Sequence, residues 1–309
     1  LKQSDLQKKI ISKDKNEITR FFIGDVRDAD RLNFATKDID YIIHAAALKH
    51  VDVAEYNPLE FIKTNIDGAK NVIQASLFNN VERVIALSTD KAANPINLYG
   101  ATKLVSDKLF TSANNISGNR TTRFSVVRYG NVVNSRGSVI PYFLNLKKKN
   151  SSFFPITDKK MNRFWITLNQ SAKLILNSFI RMYGGEIFVP KIPSVNIVDL
   201  AKSIDKNKKI KITGIRPGEK INEILCSKDE FFNTIEFNDH FVIKPSIKFI
   251  DKNIDFRKNK IGERGKFVRR DFEYSSSNNK DFLSVENLLL VLLRQIKNMD
   301  LTSIKNFEK

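Results

Sequence analysis

Val84-Ile85-Ala86-Leu87-Ser88-Thr89-Asp90-Lys91, followed eight residues after the lysine by Tyr99-Gly100-Ala101-Thr102-Lys103, is the stretch from which the architecture is read. The apolar run at 84–87 suits a strand of a parallel sheet covered on both faces. Polar groups able to move protons begin where that run ends. If 98–114 is a helix, Tyr99 and Lys103 are four apart and share a face, so an ammonium can sit near the phenol and favour its phenolate. A lone Tyr-x-x-x-Lys pair is more often an aromatic on a packed face beside a solvated lysine. Its position after Ser88-Thr-Asp-Lys91 raises the expectation that Tyr99 exchanges a hydroxyl proton near neutral pH.

Outward from that stretch, the first half alternates buried-strand and helix patterns, with strands expected at 20–23, 41–45, 84–88 and 124–128 and helices at 31–36, 58–79 and 98–114. The fold class is α/β, a doubly wound parallel sheet of Rossmann type. Right-handed crossovers bring the strand ends to one edge, where such sheets bind ligands. From about Val132 onward Pro and Gly breaks multiply and elements shorten. Residues 1–131 read as a dinucleotide-binding domain, and 132–309 as mainly a smaller, mixed α/β substrate region, interleaved with Rossmann elements near 163–204. Within it, 141–149 and 198–204 are expected as helices, 163–168 as extended and 185–189 as a strand returning to the main sheet. Leu283, Leu288, Leu292 and Ile296 fit one face of a terminal helix that docks on its own core.

Composition narrows the chemistry. A net charge of +18 raises nucleic-acid binding, but the lysines are scattered without a basic helix, finger or aromatic platform, so the reading is a solvated, lysine-rich surface and no nucleic-acid partner. The longest apolar run, Leu288-Leu-Leu-Val-Leu-Leu293, is far shorter than the ~20 residues of a membrane span. No membrane association is expected, and a reducing cytoplasm fits the single cysteine, Cys226. That cysteine reads as a semi-buried thiol without a histidine partner. His44, His50 and His240 lack metal-ligand spacing, so no metal is assigned.

Leu87-Ser-Thr-Asp-Lys-Ala-Ala-Asn-Pro-Ile-Asn-Leu-Tyr-Gly-Ala-Thr-Lys103 closely resembles the catalytic segment of the UDP-N-acetylglucosamine 4,6-dehydratases that invert C5, within the extended short-chain dehydrogenase/reductases. The resemblance continues in order through Phe21-Phe-Ile-Gly-Asp25, His44-Ala-Ala-Ala-Leu-Lys49-His50, Ala54-Glu-Tyr-Asn-Pro58, Val127-Arg-Tyr-Gly-Asn131, Ser135-Arg-Gly-Ser138, Arg163-Phe-Trp-Ile-Thr167, Ile187-Phe-Val-Pro-Lys-Ile-Pro193, Arg216-Pro-Gly-Glu-Lys220 and Asp271-Phe-Glu-Tyr-Ser-Ser276. Members of that superfamily start with a strand and a glycine-rich turn that receives the cofactor pyrophosphate. Leu1-Lys2-Gln3-Ser4 resembles the segment after the second strand, so the chain is expected to be truncated at its N-terminus, lacking the first strand and glycine loop.

The resemblance implies NADP as cofactor, with Asp25 and Val26 at the adenine, Lys2 at the ribose 2′-phosphate, Ala45 where backbone and cofactor approach closely, and Tyr99, Lys103, Lys49 and Asn131 toward the nicotinamide. Separately, Asp25 has an ordinary reading as a helix cap and Asn131 as a turn residue. Lys49, Asn131, Arg136, Thr157 and Arg216 are implied on the nucleotide-sugar side, where arginine suits a diphosphate. The implied reaction on UDP-N-acetylglucosamine is oxidation at C4 by Tyr99 with Lys103 and Thr89, removal of the C5 proton by neutral Lys91, protonation of the leaving C6 hydroxyl by Asp90, and reduction at C6. Loss of the Lys91 proton is expected to be helped by the positive charges of Lys49 and Lys103. A nucleotide-sugar 4-epimerase, which needs no elimination, and an inactive nucleotide-sugar-binding module are the alternatives. A homo-oligomer and a pathway of the pseudaminic acid type are implied as well.

Overall fold

Burial on both faces decides where each part of this chain goes. A computed structural model describes residues 19–118, 120–135, 137–247 and 254–297, together with Gln7 and Ile10. In chain order the first elements are α1 (Ala29–Ala35), β1 (Tyr41–His44), α2 (Val51–Tyr56), α3 (Pro58–Ile62), α4 (Gly68–Phe78), β2 (Arg83–Thr89), α5 (Leu98–Ile116), β3 (Arg123–Tyr129) and β4 (Asn131–Val132). They are followed by α6 (Val139–Lys148), β5 (Phe153–Ile156), β6 (Asn162–Ile166), α7 (Leu168–Arg181), β7 (Ile187–Pro190), β8 (Ser194–Asn196), α8 (Ile197–Ile204) and β9 (Lys209–Ile212). The last are β10 (Ile224–Cys226), β11 (Thr234–Glu236), β12 (His240–Ile243), β13 (Lys266–Phe267), β14 (Tyr274–Ser275) and α9 (Val285–Lys297).

The main sheet has the order β1-β2-β3-β7-β12-β11-β13. Its first four strands are mutually parallel, and β12, β11 and β13 extend it antiparallel. Along β2 the side chains alternate between two cores: Val84 and Ala86 pack with Val72, Phe110 and Phe124, whereas Ile85 faces Leu174, Ile175 and Phe179 of α7. A strand covered on both faces reads as a continuous apolar run for this reason. Residues 187–190 join the sheet beside β3, so the second half of the chain contributes strands to it. Away from the sheet, α6, α8 and α9 enclose a separate core with Phe143, Phe154, Trp165, Leu200, Leu288 and Leu292. The terminal helix thus docks its Leu288 and Leu292 on the chain's own core.

Two expectations need correction. Residues 20–23 carry no regular structure, and Phe22 and Ile23 are exposed. Strand propensity alone does not hold an extended segment that has no ladder partner, and no described strand pairs with this one. The helix expected over 58–79 contains a π-helical segment, Lys63–Asp67. That segment turns Asn65 inward, where it accepts from the Leu48 N–H at 2.8 Å and donates to the Leu48 carbonyl and the Thr102 hydroxyl, both at 3.0 Å. Cys226 is fully buried on β10, and burial pushes its thiol up, against any nucleophilic role. Among the described residues no helix is long and apolar enough to cross a membrane.

At the end of β1, His44 is 4% exposed beneath α5. Burial, with the Lys103 charge beside it, depresses its pKa to about 3 from 6.5, so the folded protein keeps a neutral imidazole. The unfolded chain protonates this histidine below its ordinary pKa, so the contribution is complete above about pH 6.5 and declines as pH falls toward 3. At pH 5 about 2 kcal/mol of stability should be missing relative to pH 7, and His44→Asn should abolish that increment. Denaturant titration of both proteins at the two pH values checks it; equal pH dependence in the variant refutes it. A second expectation concerns Gly100 on the first turn of α5, where an added Cβ would collide with the Lys91 carbonyl oxygen and lie 3.1 Å from Pro95. Gly100→Ala should cost roughly 1–3 kcal/mol, read as a lower denaturation midpoint at unchanged slope.

Candidate functional site

Polar chemistry emerges where β2 leaves the core. Thr89 ends the strand and Asp90–Ala92 form a 3₁₀ turn. The Thr89 hydroxyl donates to Asp90 Oδ1 at 3.0 Å and accepts from the Lys91 N–H, which holds the turn against the strand end. The next helix, α5, is capped by Asn97, whose side chain accepts from the Gly100 N–H at 2.8 Å and donates to the Gly218 carbonyl at 2.8 Å. The same cap therefore fixes the start of α5 and brings in the Arg216-Pro-Gly segment from far along the chain.

Tyr99 and Lys103 occupy the buried face of α5, as their spacing requires. Burial pushes the Tyr99 phenol up to about 12, while the Lys91 charge and a hydrogen bond to Thr89 pull it down. The cation beside the phenol is thus Lys91. Lys103, by contrast, donates from Nζ to the Leu87 carbonyl at 2.7 Å; burial lowers its pKa and Asp107 opposes the fall. Asp107, one turn further, accepts from the Ser88 hydroxyl at 2.8 Å and lies 3.5 Å from Arg128, which reaches Glu230 at 3.2 Å. A line of buried charge thereby braces the Tyr99 helix against β2 and β3.

Lys91 departs from expectation. Its Nζ lies 3.0 Å from Asp90 Oδ1 and 3.2 Å from Glu223 Oε1. Burial works against the ammonium, but the two carboxylates outweigh it and raise the pKa above the ordinary lysine range. In place of Lys49 and Lys103 lowering it, two anions hold Lys91 protonated in this state. Asp90 and Glu223 are 1% and 2% exposed, and each keeps one buried oxygen with no hydrogen-bond partner, Asp90 Oδ2 and Glu223 Oε2. Arg163 stands behind Glu223 at 3.8 Å and donates to the Ile221 and Lys220 carbonyls. Lys220 Nζ in turn donates to the Ala93 carbonyl at 2.9 Å, and burial depresses its pKa.

The described remaining candidates sit in loops and at strand ends. Ala45 and Lys49 lie in the exposed loop 45–50 that follows β1, pinned through Leu48 by Asn65. Val26 packs on α4, where its carbonyl accepts from Asn71 at 3.1 Å. Asp25 is exposed and chelated by Arg27 at 2.8 Å, and the helix cap that follows is Asp28. Asn131 opens β4, and its Oδ1 is buried without a partner. An added Cβ on Gly137 would lie 3.7 Å from the His50 ring, so the loop after β4 meets the loop after β1. Thr157 follows β5 in a half-buried bend. The Arg216 side chain is 76% exposed and pairs with Glu219 at 2.9 Å, and this pairing outweighs burial in holding the Glu219 carboxyl below its usual range. Lys2 and Arg136 fall outside the described residues.

Glu223, Arg163 and Asn65 escaped the sequence reading as site residues. The Arg163 and Lys220 motifs stand out, but nothing in the spacing of Glu223 from Lys91, more than a hundred residues away, announces their contact. Among the described residues no group of three or more histidine, cysteine, aspartate or glutamate side chains can hold a metal ion.

The family described as polysaccharide biosynthesis protein matches residues 1–245. A UDP-N-acetylglucosamine 4,6-dehydratase (inverting) from Campylobacter jejuni is 57% identical over 273 residues, 88% of this chain and 82% of that protein. A UDP-glucose 4-epimerase from Rickettsia bellii is 38% identical over 282 residues, 90% of this chain and 81% of the relative. Among solved structures, Pen from Bacillus thuringiensis superposes with a TM-score of 0.81 at 38% identity, covering 95% of this chain and 87% of that one. DesIV, a dTDP-glucose 4,6-dehydratase from Streptomyces venezuelae, shares the fold at a TM-score of 0.61, 22% identity, and 70% and 73% coverage. With the tyrosine and lysine pair seated on a Rossmann-type sheet, the chain belongs to this polysaccharide biosynthesis family of the extended short-chain dehydrogenase/reductases, together with the inverting UDP-N-acetylglucosamine 4,6-dehydratases.

Proposed function

We propose that this protein dehydrates UDP-N-acetylglucosamine with inversion at C5, using NADP, to a 4-keto-6-deoxy sugar for surface-glycan synthesis of the pseudaminic acid type. One observation carries the reading: a second acid–base set, Asp90 and Lys91, touches the redox tyrosine's surroundings, with Lys91 between two buried carboxylates. Removing a proton from carbon and expelling a hydroxyl needs such a set. A 4-epimerase, which only oxidises and reduces C4, does not. The C. jejuni relative's name supports the same choice.

The residues present fit a nicotinamide dinucleotide. Small alanines at 45–47 leave the loop after β1 open for close approach, Tyr99 waits at the strand ends, and the orphaned Asn131 oxygen is an acceptor without a donor. We place Asp25 and Val26 at the adenine, Ala45, Lys49, Tyr99, Lys103 and Asn131 along the rest of the cofactor, and Lys2 at the 2′-phosphate. The chemistry such a cofactor supplies when bound is reversible hydride exchange, with no net oxidation of the sugar.

Tyr99 takes the C4 hydroxyl proton. Thr89, which already contacts the phenol, then donates to the phenolate, and Lys103 supports its charge. A C4 ketone acidifies the neighbouring C5–H, which the Lys91 amine removes. Asp90 gives a proton to the C6 oxygen, which leaves as water. Lys49, Asn131, Arg136, Thr157 and Arg216 hold the nucleotide and sugar, with residues 1–131 serving the cofactor and the interleaved 132–309 the substrate. The working protein is a homo-oligomer in the cytoplasm.

Incubating the protein with NADP and UDP-N-acetylglucosamine in deuterated water should give a C5-inverted 4-keto-6-deoxy product carrying deuterium at C5, read by NMR at the earliest times. Lys91→Ala should still reduce the nicotinamide on mixing yet lose dehydration by on the order of 10²–10⁴-fold. A UDP-N-acetylgalactosamine product, or undiminished dehydration by that variant, would refute the assignment. Arg216→Ala should weaken UDP and UDP-sugar alike by about 1.5–3 kcal/mol in calorimetry, because the shared diphosphate is its proposed partner. Unchanged UDP affinity removes Arg216 from the site.

A further inference from the structure

The dehydratase reading asks Lys91 to act as an amine, and the structure holds it as an ammonium. Something must take its proton before C5–H is touched. Lys91 Nζ faces Asp90 Oδ1 and Glu223 Oε1 at 3.0 and 3.2 Å, and elimination requires Asp90 to enter as the carboxylic acid that protonates the C6 oxygen, so it cannot take a second proton. Glu223 is the other acceptor in reach.

Several features suit Glu223 to this task. Its backbone is clamped on both sides: its N–H donates to the Ser276 hydroxyl at 2.9 Å, and the Ser276 N–H donates to its carbonyl at 2.8 Å. The backbone that carries the carboxyl is therefore fixed by the fold, and Oε1 faces Lys91 from it. Its Oε2 is buried with no partner, although a purely structural ion-pair carboxylate in such a place is normally saturated with hydrogen bonds. The charged and titratable groups facing the pair are Asp90, Arg163, Lys220 and Tyr99; Glu219 pairs with Arg216 and lies 3.9 Å from Arg163. Burial raises the Glu223 carboxyl, and Lys91 and Arg163 oppose the rise. Arg163 is the weaker opponent at 3.8 Å, because its guanidinium is spent on the Ile221 and Lys220 carbonyls.

Resting on the dehydratase reading, we propose that Glu223 is a positioning residue that receives the Lys91 proton when substrate covers the site. The Lys91 side chain is 23% exposed, and a bound sugar removes that remaining water. An ammonium–carboxylate pair loses its solvation when dried, whereas the amine and carboxylic acid lose little. The N–H bond on Nζ breaks, an O–H bond forms on Oε1, and the electron pair left on nitrogen becomes the base for C5. Taking the C5 proton restores the ammonium, Asp90 is left as a carboxylate once its own proton has gone to the C6 oxygen, and the proton held on Glu223 passes back through Lys91 to Asp90 to reset the site; nothing is oxidised or reduced in the exchange. The transfer needs no proton from solvent, so dehydration should be level across neutral pH.

Glu223→Gln keeps shape and a hydrogen bond to Lys91 but cannot accept the proton. Lys91 must then shed it to water. Near pH 7 dehydration and C5 deuterium incorporation should fall by on the order of a hundredfold, then climb about tenfold per pH unit toward the parent. The fast reduction of nicotinamide on mixing should stay within about threefold, since C4 oxidation runs through Tyr99. Glu223→Asp should recover the level profile, and an unchanged melting temperature of the Gln variant shows that it folds. A Gln variant whose profile parallels the parent between about pH 6 and 9, at any constant ratio, overturns the proposal. So does equal loss of nicotinamide reduction and deuterium incorporation. A parent that forms no dehydrated product brings down the dehydratase reading first, a result visible before any variant is made.

Discussion

The constraint on which the site depends is that β2 is buried on both faces. A strand in that position can carry no exposed polar side chain along its length, so its reactive groups are confined to the point where it leaves the sheet. Thr89 and Asp90 stand at that point, and the adjacent parallel strands end at the same edge. The loops after β1 and β4 are gathered there by the same geometry. Asn65 ties the first of them to α5, and it does so from a π-helical turn, an irregularity often found beside functional sites.

Charge is handled differently on the two sides of Tyr99. On the inner side, Lys103, Asp107, Arg128 and Glu230 form a chain of alternating charge. Each charge there has a counter-charge or a carbonyl, with Arg128 Nε alone among its buried atoms left without a hydrogen bond, so the chain braces the helix. On the outer side, Asp90 and Glu223, either side of Lys91, each retain an unpartnered carboxylate oxygen. Buried groups left unsatisfied are costly, and such places tend to carry function. The contrast separates the scaffold of the tyrosine from the groups proposed to move protons.

The relatives bracket the chemistry. One neighbour in sequence is named a dehydratase and another a 4-epimerase, at 57% and 38% identity. Both names concern the 4-position of a nucleotide sugar, consistent with one shared redox framework. Whether elimination follows depends on what surrounds the sugar beyond Tyr99. In this chain the surroundings are Lys91 and its two carboxylates, one of which comes from the segment after Gly218.

Much of the fold was legible in the sequence because its signals are local. The apolar run at 84–87, the i,i+4 spacing of Tyr99 and Lys103, and Leu288 and Leu292 on one helical face each state their own secondary structure and buried side. Residues 20–23 misled because a strand exists only with a partner, and partnership is not a local property. The family resemblance implied roles for Asp25, Lys49, Asn131 and Arg216 that stand as proposals, since spacing alone leaves these residues ambiguous between cap, turn and ligand contact. Sequence by itself therefore determined the α/β class, the place of β2 and the Tyr99–Lys103 face. Only the tertiary structure decided the charge state of Lys91, because an ammonium's pKa depends on which groups surround it in space, and Glu223 reaches it only through folding.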